Sequence, residues 1–179
     1  MSDQRSNPPR DPQRAVLEEE LDEFFLEHFA PLVGYLRGGE RVPEHVAEAA
    51  AHYAFQVVRR KWPDLREDRP KAFLYRVAIW WARKHLGKQE AVPSGLAVKE
   101  LGDGRSSEAI DELLAGMRVD ALLDELPRRQ RQVVFLVDLH GFRGPDTAQI
   151  LDVSEGTVKK TLFMARARLR DLIEKEADQ

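Results

Sequence analysis

The segment PDTAQILDVSEGTVKKTLFMARARLR, which runs from Pro145 to Arg170, decides the fold. Small and apolar residues recur in it at helical spacing, and the alanine at position 148 suits two helices that cross closely. A tight turn is expected at Asp152, because aspartate tolerates left-handed backbone angles better than most residues. Ser154 follows as a natural N-cap for the second helix. Cap, turn and apolar anchors agree in register, so the segment predicts a helix-turn-helix rather than an ordinary helical hairpin.

The second helix of this motif is predicted to meet DNA. Its first turns would enter the major groove, while basic residues further along would contact the phosphate backbone. Gly156 carries no side chain that would block a phosphate, and Phe163 offers apolar contact to a thymine methyl group. The candidate DNA-binding residues are Ser154, Glu155, Thr157, Lys159, Lys160, Phe163 and Arg166.

The rest of the chain also shows helical periodicity, and no strand-like alternation persists. Three helices are predicted in the first half, the first of them ending at the glycine pair 38–39. Residues 1–14 are polar and proline-rich and are predicted to be a disordered tail. Residues 89–112, which are rich in glycine, proline and serine, are predicted to be a flexible linker. The expected fold is therefore all-α, with two small helical domains at residues 15–88 and 113–176.

Composition limits the classes of function. The chain has 179 residues, enough for one domain or two small ones, and it contains no cysteine. Disulfides, thiolate zinc sites and cysteine nucleophiles are therefore excluded, and a reducing, cytoplasmic location is expected. The start of the chain does not resemble a signal peptide. No apolar run approaches the roughly 20 residues of a transmembrane helix, so membrane insertion is not expected.

The formal net charge of −3 conceals a strong asymmetry. Residues 15–56 contain nine acidic and two basic side chains, whereas residues 59–88 contain ten basic and three acidic ones. Residues 154–170 contain five basic side chains and one acidic side chain. The pattern predicts one surface for a basic protein partner and two for phosphate backbones. Solvated helix faces of mixed sign are the alternative.

Three stretches resemble the sigma-70 family of RNA polymerase sigma factors, specifically its small extracytoplasmic-function (ECF) group. LPRRQRQVVFLVDLHGF and TAQILDVSEGTVKKTLFMARARLRDLI are similar to region 4, and RPKAFLYRVAIWWARKHL is similar to region 2. The resemblance covers about Leu17 to Ile173. It implies that region 2 binds the β′ clamp of core RNA polymerase and melts the −10 element of promoter DNA. It also implies that region 4 reads the −35 element and contacts the β flap, and that an anti-sigma factor is a partner.

The second helix departs from the ECF pattern. The usual acidic motif D-A-E-D-L-V-Q-E-T-F, which docks on a clamp helix, is replaced by VAEAAAHYAF at residues 46–55. One glutamate is retained. Three alternatives follow for polymerase binding: it is weak, it uses Glu44, Glu48 and Tyr53 instead, or it is helped by another protein. A metal site formed by His45, Glu48 and His52 on one helical face is an alternative, although the sequence offers no fourth ligand. No metal and no cofactor are expected.

The third helix contains two adjacent tryptophans, and Ile79-Trp80 stand where ECF factors typically have an arginine–asparagine pair. WWARK resembles the W-W-x-R of primary sigma factors. Neighbouring helical positions point about 100° apart, so the two indoles cannot share a face. Trp81 is predicted to pack in the core, on the same face as His85. Trp80 instead projects among cations, where its ring could stack on a single-stranded base; packing or a protein interface is the alternative. The candidate residues for −10 recognition and melting are Arg76, Trp80, Arg83 and Lys84.

Two functions remain in competition. The first is a promoter-specificity subunit that binds core polymerase, recognises both promoter elements and helps to melt DNA. The second is a degenerate sigma-like regulator that does not melt promoters or needs an accessory partner for polymerase binding. The altered acidic motif favours the regulator, and the basic, aromatic third helix opposes it. An enzyme is not expected, because the sequence has no phosphate-binding glycine loop and no nucleophile paired with a base.

Overall fold

A computed structural model of the protein describes residues 12–86 and 119–177. Every regular element in those two ranges is helical, so the predicted all-α fold is confirmed. The first helix begins at Pro12, within the segment expected to be a tail. The remaining tail residues and the expected linker at 89–112 lie outside the described residues. None of the helices in the described ranges is both long enough and apolar enough to span a bilayer.

The amino-terminal module consists of three helices: α1 (Pro12–Gly38), α2 (Glu44–Leu65) and α3 (Pro70–Leu86). Helix α1 ends at the predicted glycine pair, where the Gly39 amide donates to the Tyr35 carbonyl at 2.7 Å. A β-carbon at position 39 would lie 2.8 Å from the Tyr35 ring, so glycine is required in this turn. Helix α2 lies against both other helices. Small side chains on its inner face permit the close approach, namely Ala47, Ala50, Ala51 and Ala54.

The carboxy-terminal module begins with a helical turn at residues 119–124 and continues with α4 (Arg128–Val134), α5 (Gly144–Leu151) and α6 (Glu155–Ala177). The periodicity predicts one helix from Pro127 to His140, but its last part widens into a π-helical turn at Phe135–Leu139. The amide of His140 donates to the carbonyl of Phe135 at 2.9 Å, which is the five-residue spacing of a π-helix. Gly141, with a φ of 67°, then reverses the chain.

The two modules pack against each other, and their buried side chains form one continuous apolar cluster. The rings of Tyr75 from α3 and Phe142 from the loop before α5 meet edge to face, with centroids 4.9 Å apart. Polar contacts reinforce this packing: Lys71 Nζ donates to the His140 carbonyl at 2.9 Å. The sequence predicted both modules but not their contact, because nothing in the local pattern of either module encodes it.

Candidate nucleic-acid interface

The helix-turn-helix has the geometry that its sequence predicts. Asp152 adopts the left-handed conformation, with φ 55° and ψ 56°, and its amide donates to the Ala148 carbonyl. The Ser154 Oγ accepts a hydrogen bond from the Thr157 amide at 3.1 Å, which is the contact of an N-cap. The Thr157 hydroxyl lies 2.8 Å from the same oxygen. The predicted turn and the predicted cap are both confirmed.

Apolar anchors fix the orientation of α6. Val158 and Ala165 are buried on its inner side, against α4 and α5. Ala148, also buried, lies in α5 where that helix meets α6. These anchors fix the rotation of the helix, so that Lys159, Lys160, Phe163 and Met164 are exposed, while Leu162 is partly buried against the core.

The outer face of α6 carries most of the predicted DNA-binding residues. Glu155, Thr157, Lys159 and Lys160 are exposed, and neither lysine forms an ion pair with another residue in the described ranges. Phe163 lies one turn further along with 77% of its surface exposed, which is unusual for a phenylalanine. This face therefore combines free cations, a capped helix start and an exposed ring, the groups that a major groove and its phosphates accept.

Arg166 differs from the other predicted residues of α6. Its guanidinium Nε donates to Asp138 Oδ2 at 3.2 Å, so it is held against the π-helical turn. The hydrogen bond and the charge of Asp138 raise the pKa of Arg166 above its usual value. The helical spacing correctly predicted that Arg166 is exposed. It did not predict the contact with Asp138, which lies 28 positions earlier in the chain.

The predicted strand-binding residues of α3 lie together on one surface. Trp80 is 52% exposed, and Lys84 Nζ lies 4.9 Å above its ring in a cation–π contact. Arg76 is also exposed, and its guanidinium lies 5.7 Å from the Phe73 ring. Lys84 thus lies directly against the Trp80 ring, whereas the guanidinium of Arg76 lies nearest the Phe73 ring.

Trp81 is half-buried rather than enclosed in the core. Its ring stacks on that of His85, with centroids 3.8 Å apart and planes 15° apart. The Tyr53 ring lies 5.9 Å away on α2. Helical projection correctly put Trp81 and His85 on one face, but this face lies at the edge of the module, where packing is incomplete.

Arg83 has a partner that the sequence did not indicate. Its guanidinium donates to Glu40 Oε1 at 2.9 Å. Glu40 also accepts from Arg128 Nη2 at 2.9 Å and from the Tyr35 hydroxyl at 3.1 Å, and its side chain is only 2% exposed. Burial, together with the adjacent Glu40 carboxylate, raises the pKa of Tyr35, so that its hydroxyl remains a donor. No sequence signal marked Glu40, which stands in the loop after the glycine pair.

A cleft of about 700 Å³ separates the strand-binding surface of α3 from the helix-turn-helix. One wall is formed by Arg76, Trp80, Arg83 and Lys84, and the opposite wall by α5 and the turn that follows it, including Ile150 and Val153. The strand-binding surface of α3 therefore lies beside α5 and the turn of the helix-turn-helix in this structure, and Trp80 is part of the lining of the cleft.

The residues predicted to bind polymerase lie along α2. Glu48 is exposed, and Glu44 is exposed but 3.4 Å from Arg37 Nη1 in an ion pair. Tyr53 is half-buried, since its ring lies near Trp81. The carboxylates of Glu44 and Glu48 are thus accessible to a partner protein. The Tyr53 ring is accessible only in part, because it packs near Trp81.

The alternative of a metal site on α2 finds no support in the described ranges, where no cluster of three histidine, aspartate or glutamate side chains has the required geometry. His52 instead packs against the Phe29 ring, with centroids 4.8 Å apart. A hollow of about 330 Å³ between α1 and α2 has His52 and Phe55 in its lining. The sequence did not predict this hollow.

Comparison with known proteins gives consistent relatives. The family model for region 4 of sigma-70 matches residues 116–169. The chain is 31% identical over 152 residues to the RNA polymerase sigma-E factor of Streptomyces coelicolor, covering 80% of this chain and 82% of that protein. It is 29% identical over 154 residues to the ECF RNA polymerase sigma factor SigM of Mycobacterium tuberculosis, covering 86% and 76%.

A solved structure shares the fold. CnrH, in its complex with the cytosolic domain of CnrY, superposes with a TM-score of 0.60 at 22% sequence identity. The match covers 88% of this chain and 90% of CnrH. It extends over both modules, not only over the helix-turn-helix.

Proposed function

Since the chain belongs to the ECF group of the sigma-70 family of RNA polymerase sigma factors, we propose that it directs core polymerase to promoters through two separate contacts with DNA. In this proposal α6 reads the −35 element and α3 captures a strand of the melted −10 element. The polymerase performs the chemistry, and the chain acts with it in the cytoplasm. The observation that carries the proposal is the exposed face of α6, where two lysines without an ion-pair partner in the described ranges follow a capped helix start.

At the −35 element, the first turn of α6 enters the major groove. Ser154, Glu155 and Thr157 then lie nearest the base edges, because the cap places the helix start closest to the groove. Lys159 and Lys160 neutralise phosphates, which supplies affinity without sequence information. The Phe163 ring makes apolar contact with a thymine methyl group. Arg166 contributes less, because Asp138 already neutralises it.

At the −10 element, Trp80 stacks on an unpaired base. Base–aromatic stacking of this kind contributes about 1–3 kcal/mol, and a ring that is already half-exposed needs no rearrangement to offer it. Lys84 lies directly over this ring and Arg76 stands nearby, so both cations are placed to hold the flanking phosphates. Arg83 lies at the edge of the same surface, where its guanidinium donates a hydrogen bond to Glu40.

Polymerase binding is proposed to use α2 for the β′ clamp and the carboxy-terminal module for the β flap. The exposed carboxylates of Glu44 and Glu48, with Tyr53 further along the same helix, replace the usual acidic motif. An anti-sigma factor is proposed as a further partner. CnrH, which has the same fold, binds the cytosolic domain of CnrY, and this supports a protein partner for the chain described here.

The test is transcription in vitro with the purified full chain and core polymerase on fragmented genomic DNA, followed by sequencing of RNA 5′ ends. The proposal predicts start sites that share −35 and −10 sequences and disappear without the chain. A double Lys159→Glu, Lys160→Glu variant should abolish these transcripts, whereas Lys175→Glu, an equal charge change per site at the far end of α6, should not. Duplex binding without any transcript would instead establish the degenerate regulator.

A further inference from the structure

A further recess, called the arginine recess below, lies between α3 and the start of α4. Its volume is about 270 Å³, and its lining in the described part of the chain is formed by Arg83, Arg128, Arg129 and Gln132. Each of these side chains carries N–H donors, and no carboxylate is among them. The recess differs in this respect from the hollow between α1 and α2, whose lining includes Glu18 and Asp22.

A buried carboxylate outside the lining orients two of these arginines. Glu40 accepts from Arg83 Nη2 on Oε1 and from Arg128 Nη2 on Oε2, each at 2.9 Å. A guanidinium has more N–H donors than one carboxylate oxygen uses, so each arginine retains donors after this contact. The carboxylate therefore fixes both guanidinium groups and leaves the recess itself without a negative charge.

Arg129 is the cation of the recess that no carboxylate neutralises in the described ranges. Its Nη1 lies 3.4 Å from Gln132 Oε1 and 3.4 Å from the Leu151 carbonyl oxygen, and both acceptors are neutral. Hydrogen bonds of this length are weak, since the usual N–H···O distance is about 2.9–3.0 Å. Arg129 is therefore placed at the recess with its charge available to a ligand.

The surroundings of the recess carry an excess of positive charge. Burial, and after it the charges of Arg41 and Arg128, lower the pKa of the adjacent Arg131 below its usual value. Asp124 and Glu40 act in the opposite direction but do not reverse the shift. Arginines therefore outnumber carboxylates at this end of α4, and a bound anion would relieve their mutual repulsion.

The chemistry and the size of the recess match a phosphoryl anion. A guanidinium stays charged and donates two parallel hydrogen bonds to phosphate oxygens, which a planar fork does better than an ammonium group. Pockets for drug-sized ligands begin at about 300 Å³, so a recess of about 270 Å³ suits a smaller group. One or two phosphoryl groups also supply the negative charge that Arg129 lacks.

We propose that the arginine recess is a phosphoryl-binding site, in which Arg129 binds the anion together with the remaining donors of Arg83 and Arg128. The phosphoryl group has two sources: a small molecule that carries a phosphate or diphosphate, or the backbone of a DNA strand. Arg83 also lines the cleft beside Trp80, so a strand on α3 would reach the recess. Only this second source rests on the proposed function.

The test is isothermal titration calorimetry of the full chain with inorganic diphosphate, in a buffer free of phosphate and sulfate, with the ionic strength held constant by sodium chloride. Arg129→Gln removes the unneutralised cation. Arg60→Gln is the matched control, because Arg60 is also exposed and its Nε also donates to a backbone carbonyl, that of Gln56, at 3.3 Å. It lies on α2, outside the recess. Circular dichroism and urea denaturation establish that both variants fold as the parent does.

The expected result is saturable binding at one site in the parent and in Arg60→Gln, and binding about ten-fold weaker or more in Arg129→Gln, because a charge-assisted hydrogen bond is lost. Fluorescence anisotropy with a single-stranded oligonucleotide then identifies the source. Weakening of diphosphate binding alone assigns the recess to a small phosphorylated molecule, and weakening of oligonucleotide binding alone assigns it to the DNA backbone. If both weaken, diphosphate should displace the oligonucleotide from the parent.

The proposal is overturned if Arg129→Gln and Arg60→Gln bind both probes equally well, since the arginines would then act only as a diffuse positive surface. Neither titration involves polymerase or transcription. Failure of the recess to bind therefore leaves the proposed function untouched, and failure of the chain to start transcription leaves the diphosphate titration valid.

Discussion

Gly38 at the end of α1 lies directly beneath the ring of Phe135, which belongs to the other module. This contact closes the apolar core at the point where the chain leaves α1, two residues before Glu40. The neighbouring Tyr35 ring, 6.4 Å from that of Phe135, is completely buried by the same packing. Close backbone approach, aromatic packing and a buried ion pair thus coincide at one junction.

Replacing Gly38 should therefore loosen the junction. Gly38→Ala would force Phe135 away and is expected to lower the free energy of unfolding by about 1–3 kcal/mol, as overpacking does in other cores. Gly34→Ala is the control, because a β-carbon there meets nothing within 4 Å, and it should raise stability by about 0.5–1 kcal/mol through helix propensity. Urea denaturation measures both, and equal effects would contradict the close packing of Phe135.

Replacing each of the two adjacent tryptophans with alanine should have different effects on stability and on promoter opening. Trp80→Ala is expected to leave the free energy of unfolding within about 0.5 kcal/mol of the parent, because the ring is half-exposed, but to impair promoter opening. Trp81→Ala should cost about 2 kcal/mol, less than a fully enclosed tryptophan, since it loses the His85 stack and part of its packing. Urea denaturation measures the stability of the two variants, and the permanganate reactivity of −10 thymines measures promoter opening. A destabilised Trp80→Ala protein would reverse these assignments.

The features that the sequence predicted well are local. Ser154 caps α6 and Asp152 turns the chain through effects on the backbone within a few residues. Interactions of this kind can be predicted from the neighbouring residues in the sequence. Helical projection separated Trp80 from Trp81 for the same reason. It did not predict that Trp81 is only half-buried, because the burial of this side chain depends on how many residues of other helices surround it.

The features that the sequence missed depend on residues far apart in the chain. Glu40 and Arg128 are ordinary surface residue types, and only the meeting of the two modules buries the carboxylate between arginines. Asp138, which lies in the π-helical turn, accepts a hydrogen bond from Arg166 28 positions later in the chain. Neither the Glu40–Arg128 contact nor the Asp138–Arg166 contact can be predicted from residue spacing, which indicates only the helical face on which a residue lies.

The cap at Ser154 offers a way to separate stability from DNA recognition. Ser154→Ala removes the oxygen that accepts from the Thr157 amide and should cost about 1 kcal/mol of stability. Ser154→Asp retains a capping oxygen and should keep that stability, yet its charge would repel the DNA backbone and weaken −35 binding. Denaturation and fluorescence anisotropy on a −35 duplex check the pair. Full DNA affinity in Ser154→Asp would place the helix start away from DNA.

Stability should fall with decreasing pH, because protonation of His140 and His28 favours the unfolded chain. Burial, with Lys71 nearby, lowers the pKa of His140 to about 4, whereas an unfolded chain has a value near 6.5. Between these values only the unfolded chain binds the proton, so the stabilising effect is present above about pH 6.5 and is lost as pH falls towards 4. His28, with a pKa also lowered by burial, acts in the same direction.

The variant His140→Phe tests this assignment, because it retains a ring beside Tyr75 and cannot titrate. The slope of stability against pH between about 6.5 and 4 should decrease, while His28 maintains part of it. Thermal unfolding at a series of pH values measures the slope. An unchanged slope in His140→Phe would contradict a specific role for burial at position 140.

The salt dependence of −35 binding should identify which cations of α6 contact phosphates. Each contact contributes about −0.9 to the slope of log affinity against log salt on B-DNA, so Lys159→Ala and Lys160→Ala should each make the slope shallower by nearly one. Arg166→Ala should change it little, because Asp138 already holds the guanidinium. Its loss should instead lower stability by about 1 kcal/mol or less. Unchanged slopes for both lysines would mean that this face of α6 meets protein rather than DNA.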